Sequence, residues 1–221
     1  MKKIISLIGL LCIYIPSVVL AEKPIDAVYL EGNNSKSALI LAHGKGKHPT
    51  WLVVDPLRKS VHEQLGFHTL SLQMPTGHDF WEDYADDFPK AYVTINEAIA
   101  FLKKEKGVTR IFLMGHSMGS RMASAYVSQH PQYSLSGLII AGCRNNGARP
   151  LSCDDNVKAI QLPVLDIWGG GSGKDHDAAA DRSNFVSSQY QQIEIEGADH
   201  RFEGDETKFV NAVIRWLQKQ K

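Results

Sequence analysis

The sequence predicts an α/β domain built on a doubly wound, mostly parallel sheet of about seven strands with helices on both faces. Strand and helix signals alternate along the chain, and elements in that order pair their strands in parallel and cover both faces of the sheet. At 221 residues, 43% of them apolar, the chain has the material for one ample core. A serine with glycine two residues to either side, Gly115-His116-Ser117-Met118-Gly119, stands between an apolar run and a small-residue helical stretch. Glycines so placed let the chain turn sharply from strand to helix and hold the seryl oxygen up from the sheet.

The elements follow in order. Apolar runs at 27–30 and 38–42 read as strands separated by a hairpin-like turn, Gly32-Asn33-Asn34-Ser35. Asp55, Pro56 and Gly66 bracket the first helix as N-cap acceptor, proline at the first helical position and glycine stop, with Leu57, Val61 and Leu65 on one face. Residues 67–72 form the next strand, and Phe88, Tyr92, Ile95, Ile99 and Leu102 make a helical stripe that ends before Gly107. Residues 110–114 are the strand that leads into the serine turn, and 120–125 begin the helix beyond it. Three more strands fall at 137–141, 164–168 and 192–196. Phe209, Val213 and Leu217, with Val210 and Ile214 beside them, give an amphipathic closing helix.

Lys2 and Lys3 precede an apolar run over residues 4–20 that ends in Val19-Leu20-Ala21, the pattern of a secretory signal peptide cleaved after Ala21. Residues 22–221 are then one domain with a periplasmic or secreted location and no stable membrane insertion after cleavage. An uncleaved anchor is the alternative, but the run is short for a spanning helix and Pro16 interrupts it. A lipoprotein reading of Cys12 puts Leu11 where processing expects a small residue. The full chain balances 24 Lys and Arg against 24 Asp and Glu; losing Lys2 and Lys3 with the leader leaves −2, which gives no case for a nucleic-acid partner. Two cysteines remain, Cys143 and Cys153, and an oxidising compartment favours a bridge between them over two free buried thiols.

Chemistry-bearing residues fall at the ends of the expected strands, where open α/β sheets build their sites. His200 follows the last strand in Gly197-Ala198-Asp199-His200 and is the best base candidate, because a seryl hydroxyl is a poor nucleophile until an imidazole within reach takes its proton. The loop after strand 164–168 reads Gly169-Gly170-Gly171-Ser172-Gly173-Lys174-Asp175-His176-Asp177. A carboxylate there accepts the other imidazole N–H and fixes its tautomer; Asp175 is the first choice, and the long glycine run keeps Asp177 open as the alternative acid. Asp166 and Asp181 read as structural. His43-Gly44-Lys45-Gly46 supplies a turn for backbone oxyanion donors, with the amides of Lys45 and Met118 as the pair. The side chains of Lys45, Lys47 and His48 read as a solvated basic rim before an anion site, and His116 as a packed residue beneath the serine turn. No metal-ligand spacing such as H-E-x-x-H occurs, and nothing calls for a cofactor.

Over residues 26–219 the chain closely resembles the α/β-hydrolase superfamily. The order Ser117, Asp175, His200, each after its own strand, matches that family's nucleophile, acid and base, and His43-Gly44 matches its oxyanion turn. The first of the family's usual eight strands is missing and the glycine-rich acid loop is unusual. Only residues 142–162 lie where the family inserts a lid, so no lid domain fits, and the site is expected to be open, with Trp51 and residues 74–81 as candidate pocket walls. The resemblance implies a serine hydrolase that cleaves a small-molecule carboxylic ester through an acyl-enzyme. The same triad also serves amidases, thioesterases and acyltransferases, and a non-catalytic binding protein on a hydrolase scaffold is the reading from another class.

Overall fold

A computed structural model describes residues 20–133 and 135–220. The expected leader lies almost wholly outside the described residues, and no helix among them is long and apolar enough to cross a membrane. Seven strands form one sheet: β1 (Val28–Leu30), β2 (Ser37–Ala42), β3 (His68–Leu72), β4 (Arg110–His116), β5 (Gly137–Ala141), β6 (Val164–Gly169) and β7 (Tyr190–Ile195). Their order is β1-β3-β2-β4-β5-β6-β7, and every pairing is parallel except β1 with β3.

The inner strands are apolar on both faces because both faces are covered. Ala38, Ile40, Leu113 and Ile140 point into one core layer, closed by α2 (Phe88–Lys104) and α3 (Met118–Gln129). Leu39, Leu41, Met114 and Ile139 point into the other, closed by α1 (Val54–Leu65) and α6 (Glu206–Lys219). The α2 stripe buries Phe88, Ile95, Ile99 and Leu102, and Lys103 and Lys104 complement the negative end of its dipole. Shorter helices α4 (Cys153–Val157) and α5 (Gly173–Asp181) follow β5 and β6.

Two local expectations are corrected. Residues 32–35 do not close a hairpin, because β3 inserts between β1 and β2 and pairs with both. The register of β3 against β2, from Ala38 with His68 to Ala42 with Leu72, joins runs that are both fully buried, and that burial outweighs the local turn signal. Nor does Asp55 cap α1. The helix starts two residues earlier than expected, at Val54, so Asp55 lies in its first turn, where its carboxylate receives Arg58 Nε at 2.7 Å and Lys59 Nζ at 2.7 Å. Gly66 stops the helix as expected, with φ 66° and its N–H on His62 O.

A buried polar knot holds the far half of the sheet. Arg182, just past α5, forks onto Asp166 of β6, with Nε to Oδ2 at 3.0 Å and Nη2 to Oδ1 at 2.9 Å. Tyr190 Oη and Gln192 Nε2 donate to the same carboxylate at 2.9 and 3.1 Å. Arg182 also donates to Cys143 O at 3.0 Å and Asn145 Oδ1 at 2.6 Å, so it supports the loop after β5. Cys143 and Cys153 tie that loop to α4 through a disulfide, with Cα atoms 6.0 Å apart. The Arg182 and Asp166 side chains are 1% and 0% exposed, and removing one partner of such a pair strands the other charge. Asp166→Ala is therefore expected to lower unfolding stability by about 3–5 kcal/mol. Urea denaturation of the folded variant measures this, and a loss below about 1 kcal/mol would refute the assignment.

Candidate active site

Ser117 is the hinge between β4 and α3, held at φ 55° and ψ −115°, a backbone region that a residue with a side chain occupies only under constraint. The constraints are local and numerous. Ser117 N–H donates to Ala141 O at 2.8 Å, and Ser120 Oγ bridges Ser117 O and Ala141 O, both at 2.9 Å. Gly115 and Gly119 permit the crossing: a Cβ on Gly115 would lie 2.3 Å from Gly119 O, and one on Gly119 2.3 Å from Ala42 O.

His200, on the loop after β7, brings Nε2 to 3.0 Å from Ser117 Oγ and Nδ1 to 2.5 Å from Asp175 Oδ2. A carboxylate on Nδ1 requires the proton there, which leaves Nε2 free to accept from the seryl hydroxyl. Asp175, in the first turn of α5, is fully buried and also receives Arg144 Nε at 2.7 Å. Burial alone would raise its pKa, but the His200 and Arg144 contacts outweigh that and hold it near 2. Asp177 is exposed two residues on and contacts neither ring nitrogen of His200. The geometry thus joins Ser117, His200 and Asp175.

The glycine run has a physical reason. A Cβ on Gly169 would lie 2.2 Å from Asp199 O, and one on Gly171 2.8 Å from Gly197 O. Gly170 and Gly171 N–H donate to Ile195 O and Ala198 O, both at 2.9 Å. The acid loop and the histidine loop dock backbone to backbone, and side chains at those positions would force them apart.

His43 is buried, its Nδ1–H donating to Gly44 O at 2.9 Å while Nε2 accepts the Met74 amide at 3.0 Å. It thereby ties the turn at 43–46 to the chain leaving β3. The Lys45 and Met118 amides have no acceptor among the described residues, and both residues line the cavity over Ser117. His116 lies under the turn as expected: its Nε2–H donates to His200 O at 2.9 Å, while burial, then the neighbouring His200, lower its pKa to about 4 and keep it neutral.

The cavity beside Ser117 measures about 590 Å³. Of the expected walls Trp81 lines it, whereas Trp51 packs on the α1 side of the sheet with Lys47 Nζ 3.8 Å over its ring. Arg121 and Arg144 line it and were missed. The signal for Arg121 was its spacing, one helical turn beyond Ser117.

Five loops at the carboxyl ends of β2, β4, β5, β6 and β7 build this site, and strand order, serine turn and loop order together define the α/β-hydrolase fold. The chain belongs to a family of proteins of unknown function, DUF3530, whose model matches residues 83–219. Among solved structures it is similar to Est1E from Butyrivibrio proteoclasticus with ferulic acid bound, at 18% identity, 88% of this chain and 94% of that one, and a TM-score of 0.72. Dienelactone hydrolase from Anabaena variabilis is similar at 18% identity, 87% and 90% coverage and a TM-score of 0.71. XC6422 from Xanthomonas campestris, an α/β serine hydrolase without a lid, is similar at 15% identity, 87% and 93% coverage and a TM-score of 0.61. No curated protein sequence matches the chain.

Proposed function

We propose that the protein is a serine hydrolase that cleaves carboxylic esters through an acyl-enzyme. The observation that carries this reading is the unbroken line from Asp175 Oδ2 through His200 to Ser117 Oγ, at 2.5 and 3.0 Å, opening on the cavity. His200 Nε2 takes the seryl proton as Ser117 Oγ attacks the ester carbonyl, and Asp175 stabilises the imidazolium. The Lys45 and Met118 amides receive the negative charge on the carbonyl oxygen. Collapse of the tetrahedral intermediate expels the alcohol, which takes the proton from His200. Water, activated in the same way, then releases the acid and restores Ser117. We propose further that a leader ending at Ala21 delivers the domain to a compartment where the Cys143–Cys153 bridge persists.

Ser117→Ala is expected to abolish labelling by a fluorophosphonate and to lower ester turnover by a factor on the order of 10⁶. Undiminished labelling of that variant would overturn the nucleophile. Asp175→Asn is expected to cost about 10⁴ in turnover by freeing the His200 tautomer, while Asp177→Asn costs far less. Turnover of both variants, with circular dichroism to establish folding, tests this; the reverse ranking would move the role to Asp177. Intact-mass analysis of the exported protein is expected to place its first residue at Glu22, and a retained leader would refute the export reading.

A further inference from the structure

The cavity wall beyond Ser117 carries a buried positive charge that forms no ion pair among the described residues. Arg121 is 5% exposed and spends three of its five N–H groups on neutral acceptors, Nη1 on Asn146 O at 2.8 Å and Leu151 O at 2.9 Å and Nη2 on Asn146 Oδ1, which leaves Nε and one Nη2 hydrogen without a partner among the described residues. Its guanidinium lies 4.9 Å over the Trp81 ring, and it forms no ion pair among the described residues. Burial first, then the charge of nearby Arg144, lower its pKa to about 10, against a smaller opposing pull from the exposed Glu82 carboxylate. Arg144 uses only Nε, on Asp175, and its two amino groups have no partner among the described residues. Lys174 lines the same cavity, also without an ion-pair partner among them.

Asp177 and Asp181 line the cavity as well, but both are exposed, and water screens their charge far more than that of a buried guanidinium. The cavity lining carries more cations than carboxylates, Lys45, Arg121, Arg144 and Lys174 against Asp177 and Asp181. Arg121 follows Ser117 by one helical turn, about 6 Å along the axis, so an anion held there lies only a few bonds from a carbonyl on Ser117.

We propose that the substrate is an ester bearing a second, anionic group such as a carboxylate, held by Arg121, Arg144 and Lys174 while Ser117 attacks the ester carbonyl. The planar donors of two guanidiniums suit a carboxylate, and the ion supplies the counter-charge that Arg121 lacks. This inference rests on the serine hydrolase reading.

The test uses two pairs of esters, each normalised to its own rate of alkaline hydrolysis. The 4-nitrophenyl monoester of adipic acid against its methyl-capped diester puts the charge on the acyl side. In the second pair, 4-acetoxybenzoate against methyl 4-acetoxybenzoate, the charge is on the leaving group. One pair is expected to favour the anion at least tenfold in kcat/KM, by an amount that shrinks with added salt, and that pair identifies the side on which the anion lies. Arg121→Gln and Lys174→Met are each expected to lower the ratio of anionic to neutral kcat/KM several-fold. Lys174 is exposed, so its variant reads the site even where Arg121→Gln disturbs the loop. Ratios of one or below in both pairs, or a ratio untouched by Lys174→Met, would overturn the anion site. Fluorophosphonate labelling of Ser117 in the same samples separates the two readings: labelled protein with no anion preference overturns this inference alone, and unlabelled protein overturns both.

Discussion

The backbone of Ser117 is the constraint on which the site depends. A positive φ at a residue with a side chain costs on the order of 1–3 kcal/mol and persists only where surrounding contacts over-determine it. Here β5 supplies that determination through Ala141 O, which receives both Ser117 N–H and Ser120 Oγ. The strain lifts Ser117 Oγ out of the sheet toward His200 and leaves the Met118 amide without an acceptor at the first position of α3. One unfavourable conformation therefore places a hydroxyl and a donor on the same side of the turn.

The second half of the site depends on two loops that approach each other unusually closely. Gly169 and Gly171 let the chain leaving β6 lie against the backbone at 197–199, and this contact brings Asp175 to His200. Asp175 then serves two elements, because Arg144 from the loop after β5 donates to its other oxygen. Without these donors, burial would push the Asp175 pKa up. The Cys143–Cys153 bridge and the Arg182 contacts to Cys143 O and Asn145 hold Arg144 in place from either side. Structural polar groups thus reach the candidate acid through a single arginine.

Charge placement separates the cavity from an apolar ester pocket. Among the described residues Trp81 is the one large aromatic on the cavity, and the Arg121 guanidinium lies over its ring. Arg144 and Lys174 line the same cavity, so its wall is rich in cations.

Much of this was legible in the chain. Buried strands announce themselves as short apolar runs because both faces must be covered, so all seven were recognised to within one or two residues. The strand-to-helix turn at Ser117 and the order of Asp175 and His200 after their strands were legible for the same local reason. Pairing was not, because residues 32–35 carry a turn signal that says nothing of β3 inserting between β1 and β2. Between Asp175 and Asp177 the sequence favoured the first and left the second, two residues on, open as the alternative. On α5 such residues face different sides of the helix, so only the docking of the glycine loop selected one. Arg121 and Arg144 lie 23 positions apart and share a cavity only because α3 and the β5 loop meet there. Local conformational preference is written residue by residue, whereas the charge balance of a cavity comes from chain segments that only the tertiary fold brings together.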